Sequence, residues 1–150
     1  MARYDLYKDV AQAGQIAQAL PRDIKSYAND SSTIQPGVPV HIYNGQIHRG
    51  GSIDPIIGIT CFSPLLINPE AFYHKHRESV SVLTKGRIYV LLGTGSPNVN
   101  EFDIAYLTSS GTYTKTATNN KEIGIFLSSA GPGDLVILQF DLSTQAVGGL

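Results

Sequence analysis

A series of short apolar segments separated by glycine-containing turns constrains the fold of this chain more than any other feature of its sequence. VPVHIYN (residues 38–44) ends at Asn44-Gly45, and QIHRGGS (46–52) follows directly. Asn-Gly favours a type I′ turn, which joins two antiparallel strands through two residues. The next segment, PIIGITCF (55–62), is a continuous apolar run, short enough for a strand that is buried on both faces. These segments therefore predict neighbouring β-strands.

The same pattern continues towards the end of the chain. VSVLT (80–84) is predicted to turn at Lys85-Gly86 into RIYVLLG (87–93), and FDIAYLTSSGTYTKT (102–116) is predicted to form two strands. EIGIFLSSA (122–130), the turn GPGD (131–134) and LVILQFDL (135–142) complete the series. We therefore predict an all-β fold, a compact β-barrel or jelly-roll-like sandwich of about eight strands. The glycines predicted to lie at structural turns are Gly37, Gly45, Gly86 and Gly133.

The first 33 residues differ from the rest of the chain. They carry a weak helical stripe that Gly14 interrupts, and NDSST (29–33) is polar and turn-like. The strand pattern begins only near Ile34. We therefore predict an extended N-terminal arm over residues 1–33 and a single β domain over residues 34–150.

Composition and charge exclude several classes of function. Eleven basic residues against twelve acidic ones leave a net charge of −1, so the whole chain offers no basic field for nucleic acid. No stretch approaches the 18 apolar residues of a membrane-spanning helix, and the N-terminus has no hydrophobic run of signal-peptide type. We expect a soluble, intracellularly made protein that binds neither nucleic acid nor membrane. The lone cysteine, Cys61, cannot form an intramolecular disulfide and is predicted to be a small buried apolar residue.

The charges are distributed unevenly along the chain. Basic residues dominate from His74 to Arg87, whereas acidic residues dominate from Ile88 onward. Such a division would suit complementary surfaces on neighbouring copies, although a normally solvated mixed surface also accounts for it.

YHKHRES (73–79) is the strongest candidate for a metal site. His74, His76 and Glu78 alternate, so a strand would direct all three side chains to one face. The spacing differs from the cupin pattern, in which the glutamate follows the second histidine by four or five residues. No histidine follows His76, and the remaining ones, His41 and His48, both lie upstream. We therefore predict a polar strand edge with no catalytic role, no bound metal and no cofactor.

Other signatures of catalysis are weak. GTGSPN (93–98) resembles a phosphate-binding loop only loosely, because a helix should follow such a loop and a strand is predicted instead. The sequence carries no Gly-x-Ser-x-Gly nucleophile motif. We predict that the protein is not an enzyme.

Two segments are predicted to form interfaces, because each places apolar side chains where little local core is available. One is the arm and the other is the connection over residues 63–72, which contains two prolines. The alternative is that both segments pack on their own β domain. The interface candidates are Tyr4, Leu6, Tyr7, Val10, Ile16, Leu65, Leu66, Ile67 and Phe72.

The order of these features resembles the capsid cement (decoration) proteins of tailed bacteriophages. Gly14-Gln15-Ile16-Ala17 and Pro36-Gly37-Val38-Pro39-Val40 match the two glycine motifs at the start of that family. IIGIT (56–60), ESVSVLTKGRIYVLL (78–92) and AGPGDLVILQFDL (130–142) match its later strands in order. The resemblance covers residues 14–142, and the longer 63–76 connection with its His-x-His departs from the family.

The resemblance implies a β-barrel or jelly-roll body with an arm and no catalytic residues. It implies a virion protein, made in the host cytoplasm, that binds the major capsid protein on the outside of an icosahedral capsid over capsomer junctions. It also implies self-association, most often as a homotrimer and in some members as a dimer. Two alternatives stay open at this point, a β-rich host-attachment module of a tail or fibre and a cupin-like metalloenzyme.

Overall fold

The computed structural model describes residues 13–17, 23–29, 33–61, 74–75 and 79–142, and these residues form an all-β fold without a helix. Nine strands belong to one sheet and two short strands form a second. The strands are β1 Asp23–Asn29, β2 Thr33–Ile34, β3 Pro39–Tyr43, β4 Gln46–Arg49, β5 Gly58–Thr60, β6 His74–Lys75, β7 Ser79–Leu91, β8 Ile104–Leu107, β9 Tyr113–Thr114, β10 Lys121–Phe126 and β11 Leu135–Asp141.

The long strand β7 organises the sheet into two rings of paired strands. The order β1-β4-β3-β5-β7 closes on itself, because β1 also pairs with the first half of β7. On the other side of β7 the order continues through β11, β10, β8 and β9. A parallel bridge between Leu92 and Tyr113 then joins β9 to the end of β7. The fold is therefore compact, and β7 is common to both rings.

The buried apolar side chains form two clusters. The smaller cluster draws mainly on strands of the first ring and consists of Ile34, Val38, Val40, Ile47, Val80 and Val82. The larger cluster draws mainly on β7, β8, β10 and β11, also includes Ile59 of β5, and has Phe126 and Phe140 as its largest fully buried side chains. Cys61 lies buried in this larger cluster, as its apolar surroundings in the sequence predict. Removing this apolar surface from water is the main stabilising contribution to the fold.

The β3–β4 hairpin has the geometry that its sequence predicts. Tyr43 pairs with Gln46, which leaves Asn44 and Gly45 as a two-residue turn. Their φ angles are 54° and 76°, so both residues have the left-handed backbone of a type I′ turn.

The predicted turn at Lys85-Gly86 is wrong, because β7 runs through both residues. Residues before Gly86 pair with β1 and β5, and residues after it pair with β11. Partners along both halves keep the strand continuous, and its alternating apolar residues need no reversal of the chain. Gly86 instead lies opposite Phe140 with a φ of 140°, a backbone conformation that other residues rarely adopt.

Replacing Gly86 with valine should lower the free energy of unfolding by about 1–3 kcal/mol, because a β-branched residue is strained at this φ. Urea denaturation measures the change. Gly95→Ala is a suitable control, since a Cβ at Gly95 meets no atom within 4 Å and its φ is not in the strained range. Equal stability of the Gly86→Val and Gly95→Ala variants would contradict the strain at Gly86.

Strand β1 was not predicted, since the strand pattern in the sequence begins near Ile34. DIKSYAN (23–29) lacks an alternating apolar pattern, and most of its described side chains are exposed. Its position is determined by backbone pairing with β7, from Ala28 opposite Ser79 to Asp23 opposite Lys85. Residues 13–17 lie along the next part of β7, where Gly14 N donates to Tyr89 O at 2.7 Å. The division of the chain into an arm and a β domain at residue 33 remains a prediction.

Candidate functional site

The exposed apolar side chains of the described residues are the first candidates for a functional surface. Three of them are called the outer patch below: Ile104 on β8, Ile125 on β10 and Phe102 in the turn that precedes β8. Ile104 on β8 is the register partner of Ile125 on β10, and Phe102 precedes Ile104 by two residues. Phe102 is 70% exposed, which is unusual for a large aromatic residue.

Hydrogen bonds fix the backbone on either side of the Phe102 ring. Asn100 N donates to Asp103 Oδ2 at 2.8 Å, and Asp103 N donates to Asn100 O at 3.1 Å. Phe102 N donates to Phe126 O at 2.7 Å, and Phe126 N donates to Asp103 O at 2.9 Å. The outer patch is therefore held on the end of β10 by a tight turn with a defined conformation.

Acidic residues border the outer patch. Glu101 is exposed beside Phe102, and the exposed Glu122 pairs with Tyr106, two residues beyond Ile104 on the same face of β8. Asp103 faces Lys115, whose Nζ lies 3.7 Å from Asp103 Oδ2. The lysine offsets one of the three carboxylates, so the border of the outer patch is acidic.

A second group of side chains lies around the β3–β4 hairpin. His41 and His48 are opposite each other with ring centroids 5.9 Å apart, and Tyr43 lies 5.8 Å from His48. His41 Nε2 is 4.0 Å from Asp54 Oδ1. The described part of the chain contains no group of three or more His, Cys, Asp or Glu side chains that could hold a metal ion.

The turn beside this hairpin presents one apolar side chain to solvent. Gly51 N donates to Asp54 Oδ2 at 2.9 Å, Asp54 N donates to Gly51 O at 3.0 Å, and Lys121 Nζ donates to Asp54 O at 3.1 Å. Ile53 in this turn is 87% exposed. The turn lies near the start of β10, so Ile53 and the outer patch are at opposite ends of that strand.

A cavity of about 320 Å³ is bounded by residues of both rings, among them Gly37, Arg49, Leu92 and Tyr113. The Tyr113 hydroxyl donates to Gly37 O at 2.9 Å. Burial raises the pKa of Tyr113 well above its ordinary value, and the positive charge of Arg49 offsets only part of this effect. The phenol is therefore neutral at physiological pH and acts as a hydrogen-bond donor that ties the Gly37 loop to β9.

Stability should decline in alkaline solution, in part through Tyr113. Its pKa is higher in the folded state than the value of 10.0 for an unburied tyrosine, so its contribution is present below about pH 10 and is lost above it. Each proton that is bound in the folded state but not in the unfolded state lowers the free energy of unfolding by about 1.4 kcal/mol per unit rise in pH. Unfolding free energies at pH 7–11 should therefore fall less steeply for Tyr113→Phe than for the unsubstituted protein. Equal slopes of unfolding free energy against pH in the two proteins would contradict this role of Tyr113.

The structure describes few of the residues predicted from sequence to form interfaces. Tyr4, Leu6, Tyr7, Val10, Leu65, Leu66, Ile67 and Phe72 lie outside the described residues, as do His76 and Glu78. The backbone of His74 is described, in β6 opposite Ile34 of β2. Ile16 is half-buried, bridges to Ile88 and packs against the larger apolar cluster. Ile16 therefore contacts its own β fold.

Sequence reasoning did not identify the outer patch. The sequence feature that indicates this patch is the segment NEFD (100–103), in which Phe102 lies between two turn-forming polar residues, Asn100 and Asp103. Because the segment joins a predicted loop to a predicted strand, Phe102 was expected to be an ordinary strand residue.

Comparison with known proteins identifies the family. The model of the phage structural cement protein family (E217 gp24/Pam3 gp6) matches residues 2–141. The chain belongs to this family. The resemblance inferred from the glycine and strand motifs is thereby confirmed, and the match also includes residues that precede the first of those motifs.

A solved structure shows the same fold as this cement protein. A chain in the capsid of Myoviridae phage XM1 superposes with a TM-score of 0.69 at 14% sequence identity, covering 87% of this chain and 89% of that chain. No curated protein sequence matches. Among the described residues of the cement protein, no helix is long and apolar enough to cross a membrane. As a family member it is a structural, capsid-associated protein of the phage virion.

Proposed function

We propose that this cement protein binds the outer surface of an icosahedral phage capsid and reinforces the junctions between capsomers. The observation that carries the proposal is the family match over residues 2–141. The exposed apolar side chains of the described residues, Phe102 and Ile53 above all, are suited to contact with another protein.

The physical effect of such binding follows from linkage. A ligand that binds the assembled lattice more tightly than free subunits stabilises the lattice. The partner is the major capsid protein, and self-association of the cement protein into a homotrimer gives several contacts for each bound particle. Multivalent attachment produces high occupancy even when each contact is weak. The role needs neither a cofactor nor turnover, and we assign no catalytic role to His74, His76 or Glu78.

Co-sedimentation with phage shells that lack the protein tests the proposal. The purified protein should pellet with the shells at a fixed stoichiometry and raise the temperature at which they disrupt. A variant with both His74→Ala and His76→Ala should bind as the unsubstituted protein does, and light scattering of the free protein should give the mass of a trimer. Binding to immobilised host glycan without binding to shells would contradict the proposal and favour a host-attachment module.

A further inference from the structure

Phe102 combines a costly backbone conformation with an exposed aromatic ring. Its φ is 75°, in the left-handed region that bulky residues rarely adopt. Among the described residues the other two non-glycine residues with positive φ are Asn44 and Asn119, and asparagine tolerates this region well. All three residues are exposed, so Phe102 is the exception in residue type: a bulky apolar side chain stands where the other two positions have asparagine.

The fold itself gains little from phenylalanine at this position. A ring that is 70% exposed contributes only a small part of the burial free energy available to a phenylalanine. Asparagine would remove the exposed apolar surface and relieve the unfavourable backbone conformation. The free protein should therefore be more stable with asparagine at position 102, which indicates that the ring serves an interaction outside this chain.

The surroundings of Phe102 have the features of a binding hot spot. Ile104 and Ile125 are exposed register partners on adjacent strands, and backbone hydrogen bonds of Asp103 to Asn100 and of Phe102 to Phe126 fix the backbone that carries the ring. An aromatic side chain on a fixed backbone has only two torsions to order when it enters a pocket, so it loses little conformational entropy. Aromatic residues surrounded by weaker contacts account for much of the binding energy of protein interfaces.

The charges around the patch indicate the chemistry of the partner. Glu101 and Glu122 leave the border acidic after Lys115 has offset Asp103. We propose that Phe102 is the anchor of a docking surface for the capsid shell, and that it inserts into an apolar depression bordered by lysine or arginine on the shell protein. Complementary charge at the rim would orient the two surfaces and accelerate their association. This inference rests on the proposed function and names the residue through which attachment occurs.

The test measures stability and shell binding on the same variants. Phe102→Asn should raise the melting temperature by about 2–4 °C, because it relieves backbone strain in a protein of this size. The same variant should bind shells at least about ten-fold more weakly. Phe102→Tyr keeps the ring and should bind within about two-fold of the unsubstituted protein. Asn119→Gly relaxes the backbone at an exposed position with positive φ and no aromatic ring, and should leave binding unchanged.

Several results would overturn the inference. Equal shell binding by Phe102→Asn and the unsubstituted protein would exclude the anchor while leaving the proposed function intact. Loss of binding together with loss of thermal stability would show a structural role instead. A defect confined to self-association would assign the patch to a second copy of the chain. Failure of the unsubstituted protein to bind shells at all would contradict the proposed function itself, so the two failures are distinguishable.

Discussion

Replacing Phe126 with alanine should lower the free energy of unfolding by about 3–5 kcal/mol, the usual result of removing a fully buried aromatic side chain. Phe126 has no solvent exposure and belongs to the larger apolar cluster, which joins β7, β8, β10 and β11. The cavity left behind would remove contacts on several strands at once, so the loss exceeds the transfer free energy of the ring alone.

Chemical denaturation of the free protein measures this loss, and Tyr43→Ala provides the matched control. Tyr43 is also aromatic but is 61% exposed at the end of the β3–β4 hairpin. Its removal should change stability by no more than about 0.5 kcal/mol. Similar losses in the two variants would mean that the larger apolar cluster is not the principal core of the protein.

Deleting residues 1–12 should leave the β fold stable while reducing attachment to the shell by a factor on the order of 100 or more. The deletion removes Tyr4, Leu6, Tyr7 and Val10, and burial of two such side chains at an interface is worth about 3–6 kcal/mol. The deletion ends at residue 12, so Gly14 and Ala17 remain and keep their hydrogen bonds to β7. Thermal melting and co-sedimentation measure the two effects separately.

A longer deletion, of residues 1–17, is the control for the role of the first residues in folding. It removes three hydrogen bonds to β7, those of Gly14 N to Tyr89 O, Tyr89 N to Gln15 O and Ala17 N to Arg87 O. Stability should then fall by about 2–4 kcal/mol. If the shorter deletion already unfolds the protein, residues 1–12 belong to the core. If the protein that lacks residues 1–12 binds shells normally, the contacts with the shell lie elsewhere, and the connection over residues 63–76 is the next candidate.

Strands with an alternating or continuous apolar pattern could be predicted from the sequence. Asn44-Gly45 predicted its hairpin because the turn chemistry is local, and LVILQFDL predicted β11 because burial alternates along it. β1 could not be predicted, since its side chains are mostly exposed and its pairing with β7 is a long-range backbone interaction. Lys85-Gly86 was misassigned because glycine at positive φ serves both turns and continuous strands.

The candidate site was less accessible to sequence reasoning than the fold. The exposure of Phe102 and its positive φ depend on where β10 places Phe126, and neither is encoded in the composition of NEFD. The family, by contrast, could be identified from the order of its glycine motifs and strands, because that order reflects the connectivity of the fold. The predicted interface residues in the arm and the 63–72 connection stay predictions.

Electron microscopy of shells with and without the protein tests the central claim most directly. Subtracting a reconstruction of bare shells from one of decorated shells should leave additional density on the outer surface over the junctions between capsomers. The density should accommodate the two-ring β fold, with Phe102, which is hydrogen-bonded to the end of β10, facing the shell. Density inside the shell, on the tail alone or absent from the capsid would contradict the account.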